Sequence, residues 1–471
     1  MPDIETLYQQ ALDYLYSYVD YSLTHSFNFT DEEFDLGRMH ELLRLLGDPH
    51  KQYPVIHVAG TKGKGSTAAL IGSALRAQGY TVGSYTSPHL QDYTERIQVN
   101  AESISKAELV ALVDQIKPFV AQVQRLTTFE ITTALGFLYF AQRKADVAVV
   151  EVGLGGRLDA TNVVEPLVSV ITSLSMDHMS VLGDTLPKIA TEKAGIIKAG
   201  RPVVSSPQRE DARQVLETIA AERGAPLIQV GKDFFFSHGS HDLNGQTLLV
   251  WKAAEQPLVD EYIESGGVNE WEPLHLQIPL LGYHQVQNAA TAYAVLQVAR
   301  ENGLAVSEEA IRAGFGAVQW PGRFEVLQRN PLLIVDSAHN RDSALKLRLT
   351  LDDYLPGRAV IMIFGASEDK DVQGMFEELM PRVKRVIATQ SVHPRAMEAA
   401  RLVDLAHRFG RPGQVILPVE AALQTALKLA AQEEAVVLTA GSLFVAAAVR
   451  QAWLEQHVPQ DSQALVPVQQ V

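Results

Sequence analysis

Apolar positions along this chain fall into two periods. Short unbroken runs bounded by glycine or polar turns predict buried strands, and spacings of three and four predict helices. Tyr53 to Ala59, Thr81 to Tyr85, Asp146 to Val152 and Leu167 to Ser173 are such runs, and Val203 with Val204 marks another. Between them, Ser105 to Val123, Phe129 to Gln142 and residues 187–199 carry helical spacing. Upstream, residues 4–25 predict a helix with Leu7, Leu12, Leu15 and Tyr18 in register. Phe34 to Leu46 predicts a second, and the polar stretch THSFNFTDEE a loop between them. Strands alternating with helices argue for a mainly parallel sheet covered on both faces.

The pattern changes after residue 230. Residues 231–280 hold short alternating runs such as QTLLVW and LHLQIPL, which predict a small antiparallel insertion. A helix is expected from about Val286, then a connecting helix over 305–319. From Pro331 a second βα series begins with PLLIVDSAHN, AVIMIFGAS, VKRVIATQ, GQVILP and AVVLTAGS. The expected fold is α/β throughout. A larger domain with a mainly parallel sheet occupies 1–304, a hinge 305–320, a smaller Rossmann-like domain 321–457 and a loose tail 458–471.

One stretch carries the chemistry. VIHVAGTKGKGSTAA places Gly60, Thr61, Lys62, Gly63, Lys64, Gly65 and Ser66 between a strand and a helix expected to open at Ser66. Glycines let several N–H groups converge on one concavity, and a helix N-terminus adds partial positive charge. The lysine precedes the last glycine, so the strict G-x-x-x-x-G-K-[ST] pattern is not met, yet the order of parts is that of a phosphate site. Parallel sheets bind ligands beyond the carboxyl ends of their strands. Ser87, Glu151 and His178 all fall there, and a carboxylate such as Glu151 at a buried strand end is costly unless paired or metal-bound.

Composition narrows the partners. A formal charge of −15 argues against a nucleic-acid partner. No cysteine is present, which excludes thiolate chemistry and suits a reducing cytoplasm. No apolar run approaches the roughly 18 residues of a membrane span.

GTKGKGS, TSPHLQDYTERI, TTFE, EVGLGGRLDATN, SMDHMSVLG, EKAGIIK, HQVQNAATA, PGRFE and DSAHN follow one another in this order over about residues 34–445. This set resembles folylpolyglutamate synthase and the bifunctional dihydrofolate synthase/folylpolyglutamate synthase, members of the Mur ligase superfamily. The resemblance implies an ATP-dependent amide ligase whose N-terminal domain, 1–304, is of the P-loop ATPase type. ATP phosphorylates a substrate carboxylate, and glutamate displaces the phosphate. It assigns Lys64 to the phosphates, and Ser87, Glu151 and His178 to magnesium, with two magnesium sites expected and a monovalent cation admitted. Lys193 matches a carbamylated lysine, and Asn288, Arg323, Asp336 and His339 match nucleotide contacts. Arg323 and Asp336 lie beyond the expected hinge, so the resemblance also implies closure on ATP. Thr127, Thr128, Phe129, Glu130, Arg157 and Asp159 lie where the pterin-bearing substrate is held. The expected substrates are L-glutamate and a reduced folate or dihydropteroate, and the expected state is a cytoplasmic monomer.

Two departures stand out. The family has asparagine where Lys62 stands, and the segment before Phe34 is longer than usual. On spacing alone, Lys193 reads as a solvated helix lysine and Glu130 as a residue favouring a helix start. A peptidoglycan-precursor ligase shares the phosphate loop, a P-loop NTPase switch or kinase would need no glutamate, and a catalytically silent nucleotide binder is a further alternative.

Overall fold

The computed structural model describes residues 2–19, 35–268 and 270–457, save the side chain of Ser180. They form two compact units. The first holds the chain to Gly239, Thr247–Ile278 and Val286–Val318, and the second holds Ser240–Gln246, Pro279–Gln285 and the chain from Gln319.

The predicted apolar runs become the large sheet of the first unit. Its strands are β1 (Val55–Ala59), β2 (Val82–Tyr85), β3 (Ile97–Val99), β4 (Glu102–Ser103), β5 (Val147–Glu151), β6 (Val168–Ile171), β7 (Val203–Ser205) and β8 (Leu227–Gln229). Their order is β4-β3-β2-β5-β1-β6-β7-β8. Six strands from β2 to β8 run parallel, and only the β3 and β4 edge is antiparallel. β1 and β5 are buried along their whole length, as strands covered on both faces must be.

Helices α1 (Ile4–Tyr16), α2 (Leu36–Leu45), α3 (Lys64–Ala77), α4 (Lys106–Val120), α5 (Thr128–Gln142), α6 (Met179–Leu182), α7 (Leu186–Ala194) and α8 (Glu210–Glu222) accompany this sheet. Capping boxes start α4, from Ser105 and Glu108, and α5, from Thr127 and Glu130. α1 stops earlier than its periodicity suggests. The Ser17 hydroxyl takes the Tyr14 carbonyl, and Val19 then pairs with Thr127 as an isolated bridge. The rest of the expected first helix, the THSFNFTDEE loop and Phe34 lie outside the described residues. α3 opens at Lys64, two residues before Ser66, because Gly63 takes the left-handed conformation that starts it. α7 ends at Ala194, short of residue 199, because its last carbonyls turn to other partners: Asn162 Nδ2 and Arg223 Nη1 both donate to Gly195 O. α8 and β8 form where the sequence pattern announced no element.

The expected insertion is a three-stranded sheet of β9 (Phe234–Asp242), β10 (Gly245–Lys252) and β11 (Leu274–Ile278), ordered β11-β10-β9. α9 (Gln256–Glu264) sits between its last two strands in sequence, and α10 (Tyr283–Glu301) follows three residues earlier than the spacing suggests. The stretch expected as a hinge forms α11 (Glu308–Gly316), grouped with the first unit as far as Val318. A Cβ on Gly314 would collide with the backbone of Ala74, so α11 lies directly on α3. Tyr80 Oη also donates to Ala305 O (2.9 Å), and Ser307 N–H donates to Gln78 Oε1 (2.7 Å).

The second unit is built on β12 (Glu325–Arg329), β13 (Leu332–Val335), β14 (Val360–Phe364), β15 (Val383–Ala388), β16 (Gly413–Val415) and β17 (Val436–Ala440). Their order is β12-β13-β17-β14-β15-β16, with β12 antiparallel and the rest parallel. Its helices are α12 (Arg341–Tyr354), α13 (Val372–Leu379), α14 (Ala399–Arg408), α15 (Val419–Glu433) and α16 (Leu443–His457). One apolar cluster includes Leu347, Met375 and Phe376, and a second includes Leu423, Val449 and Trp453.

Candidate active site

The site of the first unit assembles past the carboxyl ends of β1, β5 and β6. β1 runs straight into the glycine turn. Gly60 has φ +152° and Gly63 φ +88°. A Cβ on Gly60 would overlap Thr172 Oγ1, and one on Gly63 would overlap Asn288 Oδ1, so glycine is required at both. The N–H groups of Thr61 and Lys62 both donate to Ser173 O at 3.0 Å, and Thr61 Oγ1 donates to Ser175 O at 3.2 Å. The loop is thus laced to the segment after β6.

Both lysines of the loop meet carboxylates. Lys64 Nζ lies 3.7 Å from Glu151 Oε1, at the end of β5. Lys62 Nζ lies 2.8 Å from Asp177 Oδ2. Glu151 is buried, and its Oε2 also accepts the Ser87 backbone N–H at 3.3 Å. Ser87, Lys64 and Glu151, read separately in the sequence, therefore meet at one point. His178 stands beside Asp177 with a left-handed backbone (φ +48°) and a half-exposed ring.

Lys193, on the last turn of α7, is buried rather than solvated. Burial lowers its pKa to about 7; Lys64 and Lys62 push the same way, and Asp177 and Asp159 oppose them. The GLGGR loop packs onto this turn. Gly156 has no room for a Cβ against the Glu192 and Lys193 carbonyls. Arg157 N–H donates to Glu192 O (2.8 Å), and its Nε to Glu192 Oε1 (3.0 Å). Asp159 is buried, which raises its pKa, while bonds from Thr161 and the Leu154 N–H lower it.

The TTFE residues have defined partners. Thr127 caps α5, and Thr128 Oγ1 donates to Leu15 O (2.8 Å). The Phe129 ring fills the space a Cβ on Gly153 would need. Glu130 accepts the Thr127 N–H (2.7 Å) and pairs with Arg38 (3.2 Å). Asn288 adjoins the glycine turn through Gly63.

Arg323, Asp336 and His339 gather in the second unit. Asp336 ends in a nest: its Oδ2 accepts Phe324 N–H (2.8 Å) and its Oδ1 accepts Ala338 N–H (2.7 Å). Burial raises its pKa, and Arg323 and those two bonds pull it back. Arg323 Nη1 donates to Gly322 O (3.1 Å) and to the Ser337 hydroxyl. His339 Nδ1 lies 2.9 Å from Ser337 O; a carbonyl only accepts, so Nδ1 is the donor.

Sequence spacing did not single out four participants. Asp177 shared the signal of Glu151, a carboxylate past a strand end. Arg38 lies 92 positions from Glu130 and carried no local signal. His57 and Thr161 read as ordinary strand and loop residues.

Residues 58–296 match the Mur ligase middle domain, and residues 322–443 match the Mur ligase glutamate ligase domain. A dihydrofolate synthase/folylpolyglutamate synthase from Bacillus subtilis is 37% identical over 88% of this chain and 94% of its own length. A folylpolyglutamate synthase from Lacticaseibacillus casei is 35% identical over 91% and 97%. Among solved structures, Mycobacterium tuberculosis folylpolyglutamate synthase complexed with ADP superposes with TM-score 0.83 and 31% identity, over 96% of this chain and 99% of that one. An "FPGS-AMPPCP-folate complex" superposes with TM-score 0.78 and 31% identity, over 95% and 99%. The chain belongs to the Mur ligase family, in its folylpolyglutamate synthase branch.

Proposed function

We propose that this chain is an ATP-dependent amide ligase that joins L-glutamate to the γ-carboxyl of a reduced folate through an acyl phosphate. The observation that carries the reading is the meeting of Lys64, Glu151 and Ser87 beside the glycine turn, with buried Lys193 close enough to feel Lys64. It is supported by relatives named for this activity and by related structures with ADP and AMPPCP.

The glycine turn and α3 present backbone donors and Lys64 to the phosphates, where charge builds on the transferring group. Asn288 borders that turn; Arg323, Asp336 and His339 carry the nucleotide assignment in the second unit. Thr127, Thr128, Phe129, Glu130, Arg157 and Asp159 are assigned to shaping the pterin side. Glu151 and Ser87 offer hard oxygen donors, and a buried carboxylate already drawing a lysine and an N–H suits a divalent cation. With His178 they would hold magnesium, which when bound neutralises developing phosphoryl charge. Lys193 is assigned as a carbamate: burial lowers its pKa to about 7, so a large share of the amine is neutral near that pH, and the neutral amine is the form that adds carbon dioxide. The carbamate would face a second magnesium.

Dihydropteroate is the second substrate reading, because the B. subtilis and M. tuberculosis relatives carry the dihydrofolate synthase name as well. A cytoplasmic monomer is the expected state; no described helix is long and apolar enough to cross a membrane. Phosphate release with ATP, glutamate and either tetrahydrofolate or dihydropteroate tests both substrates. Release with tetrahydrofolate that depends on glutamate supports the ligase. Release without glutamate points to an NTPase, and release with uridine-linked muramyl peptides alone to a peptidoglycan-precursor ligase.

A further inference from the structure

His57 stands in the middle of β1, fully buried between β5 and β6, two residues before the strand ends in the glycine turn. A buried histidine at the centre of a parallel sheet is expensive unless its ring does something. Its Nε2 lies 2.8 Å from Thr161 Oγ1. That hydroxyl in turn donates to Asp159 Oδ1 at 2.5 Å, and the Thr161 N–H reaches the same oxygen at 3.0 Å. Asp159 Oδ2 accepts the Leu154 N–H at 2.8 Å. A threonine hydroxyl has one proton. Spent on Asp159, it leaves a lone pair facing His57, so the ring must present N–H at Nε2. The other nitrogen, Nδ1, is buried and meets no protein donor or acceptor. Burial, with Lys198 as a lesser cause, lowers the ring's pKa to about 3, so it stays neutral.

The chain of contacts then continues outward. Asp159 fixes the 153–161 loop by bonds at both ends, to Leu154 and to Thr161. That loop presses Gly153 against Phe129, and Gly156 against the α7 turn that carries Lys193. β1 itself delivers the glycine turn. His57 is therefore the one described side chain that bonds, from the strand feeding the phosphate loop, into the loop bordering the substrate residues.

We propose that His57 is a positioning residue: as the Nε2–H tautomer it donates to Thr161, which orients Asp159 and sets the 153–161 loop against Phe129 and the Lys193 turn. The inference rests on the ligase reading for its kinetic consequence, but not for its tautomer. His57→Gln can still place an N–H near Thr161, whereas His57→Leu cannot. His57→Leu should raise KM for the folate substrate about tenfold, the scale of one buried hydrogen bond lost with its partner left unmet. KM for ATP should change little, and His57→Gln should recover most of the folate loss. Thr161→Ser should behave as wild type, and Thr161→Val like His57→Leu.

The test is steady-state kinetics on these four variants, with nitrogen NMR of the wild-type protein carrying isotope-labelled histidine rings. The expected spectrum holds one ring, insensitive to pH across the stable range, protonated at Nε2. A non-titrating ring protonated at Nδ1, or folate KM values equal in His57→Leu and His57→Gln, overturns the proposal. If the His57 variants do not fold, the Thr161 pair decides, and equal folate KM in Thr161→Ser and Thr161→Val overturns it. A wild-type protein inactive on every folate defeats the ligase reading instead, and the ring spectrum still judges the tautomer.

Discussion

Lys64 stands where two demands meet. It pairs with Glu151 across 3.7 Å and sits at the first position of α3, where phosphate oxygens would arrive. Removing its ammonium should cost on the order of 10²-fold in turnover, the scale of one lost charge-stabilising contact in a transition state. Lys64→Ala should keep its fold by circular dichroism; turnover within about threefold of wild type would take this lysine out of the chemistry. Lys193 makes a second prediction, about pH. Its lowered pKa means protonation removes the neutral amine as pH falls through about 7. At fixed carbon dioxide, activity should therefore drop on the acid side of 7, and added bicarbonate should restore part of it. Lys193→Ala should lose most activity at every pH, and short carboxylates should return some. A pH profile identical in the presence and absence of bicarbonate would count against the carbamate. Asp159 and Asp336 share a pattern: burial raises each carboxyl, and backbone N–H groups on both oxygens oppose it.

Single elements explain what the amino-acid pattern reveals of the fold and what it does not. β1, β5 and β6 were legible because parallel strands covered on both faces leave unbroken apolar runs. Glu151 was legible because it breaks such a run at its end. α11 was legible as a helix, but its packing was not: the contact rests on Gly314 and Ala74, and a small residue carries no sign of what lies on it. Lys193 was misread on spacing alone, since burial of a helix lysine depends on the loop folded over it. α5 supplies a prediction at this scale. Thr127 and Glu130 close a capping box, and Glu130 also pairs with Arg38. Thr127→Ala should lower unfolding free energy by about 1 kcal/mol, the usual cost of a lost N-cap. Glu130→Gln should cost more, because it leaves largely buried Arg38 without this carboxylate. Chemical denaturation measures both; a Thr127→Ala midpoint at or above wild type would contradict the role of the cap.

Charge distinguishes the whole molecule from its parts. The chain carries −15 overall, yet its phosphate turn is lined by two lysines. A distant anion meets the net field, whereas a bound one meets the lysines. Salt screens the first over about 8 Å at physiological ionic strength and the buried contacts far less. KM for a folate already bearing several glutamates should therefore fall as ionic strength rises from roughly 0.01 to 0.15 M. A KM that climbs steadily with salt would show that local basic groups govern approach. The resemblance read from nine short motifs extended over almost the whole chain, and both family matches fall within it. Outside those motifs the insertion was still legible from its alternating runs, whereas α8 was not, because its packing is set by partners distant in sequence.

The glycines around the site resist replacement for two different reasons. Gly60 and Gly63 are hemmed in by side chains, Thr172 and Asn288, but both also hold positive φ, so a second change at the neighbour makes room without relieving the backbone. Gly156 and Gly195 face backbone: the carbonyls of Glu192 and Lys193 in one case, the main chain of Arg157 in the other. No substitution elsewhere can remove a backbone atom. In a library mutated at all four positions and at Thr172 and Asn288, survivors should keep Gly60 and Gly63 whatever stands at those two neighbours, and should keep Gly156 and Gly195 as well.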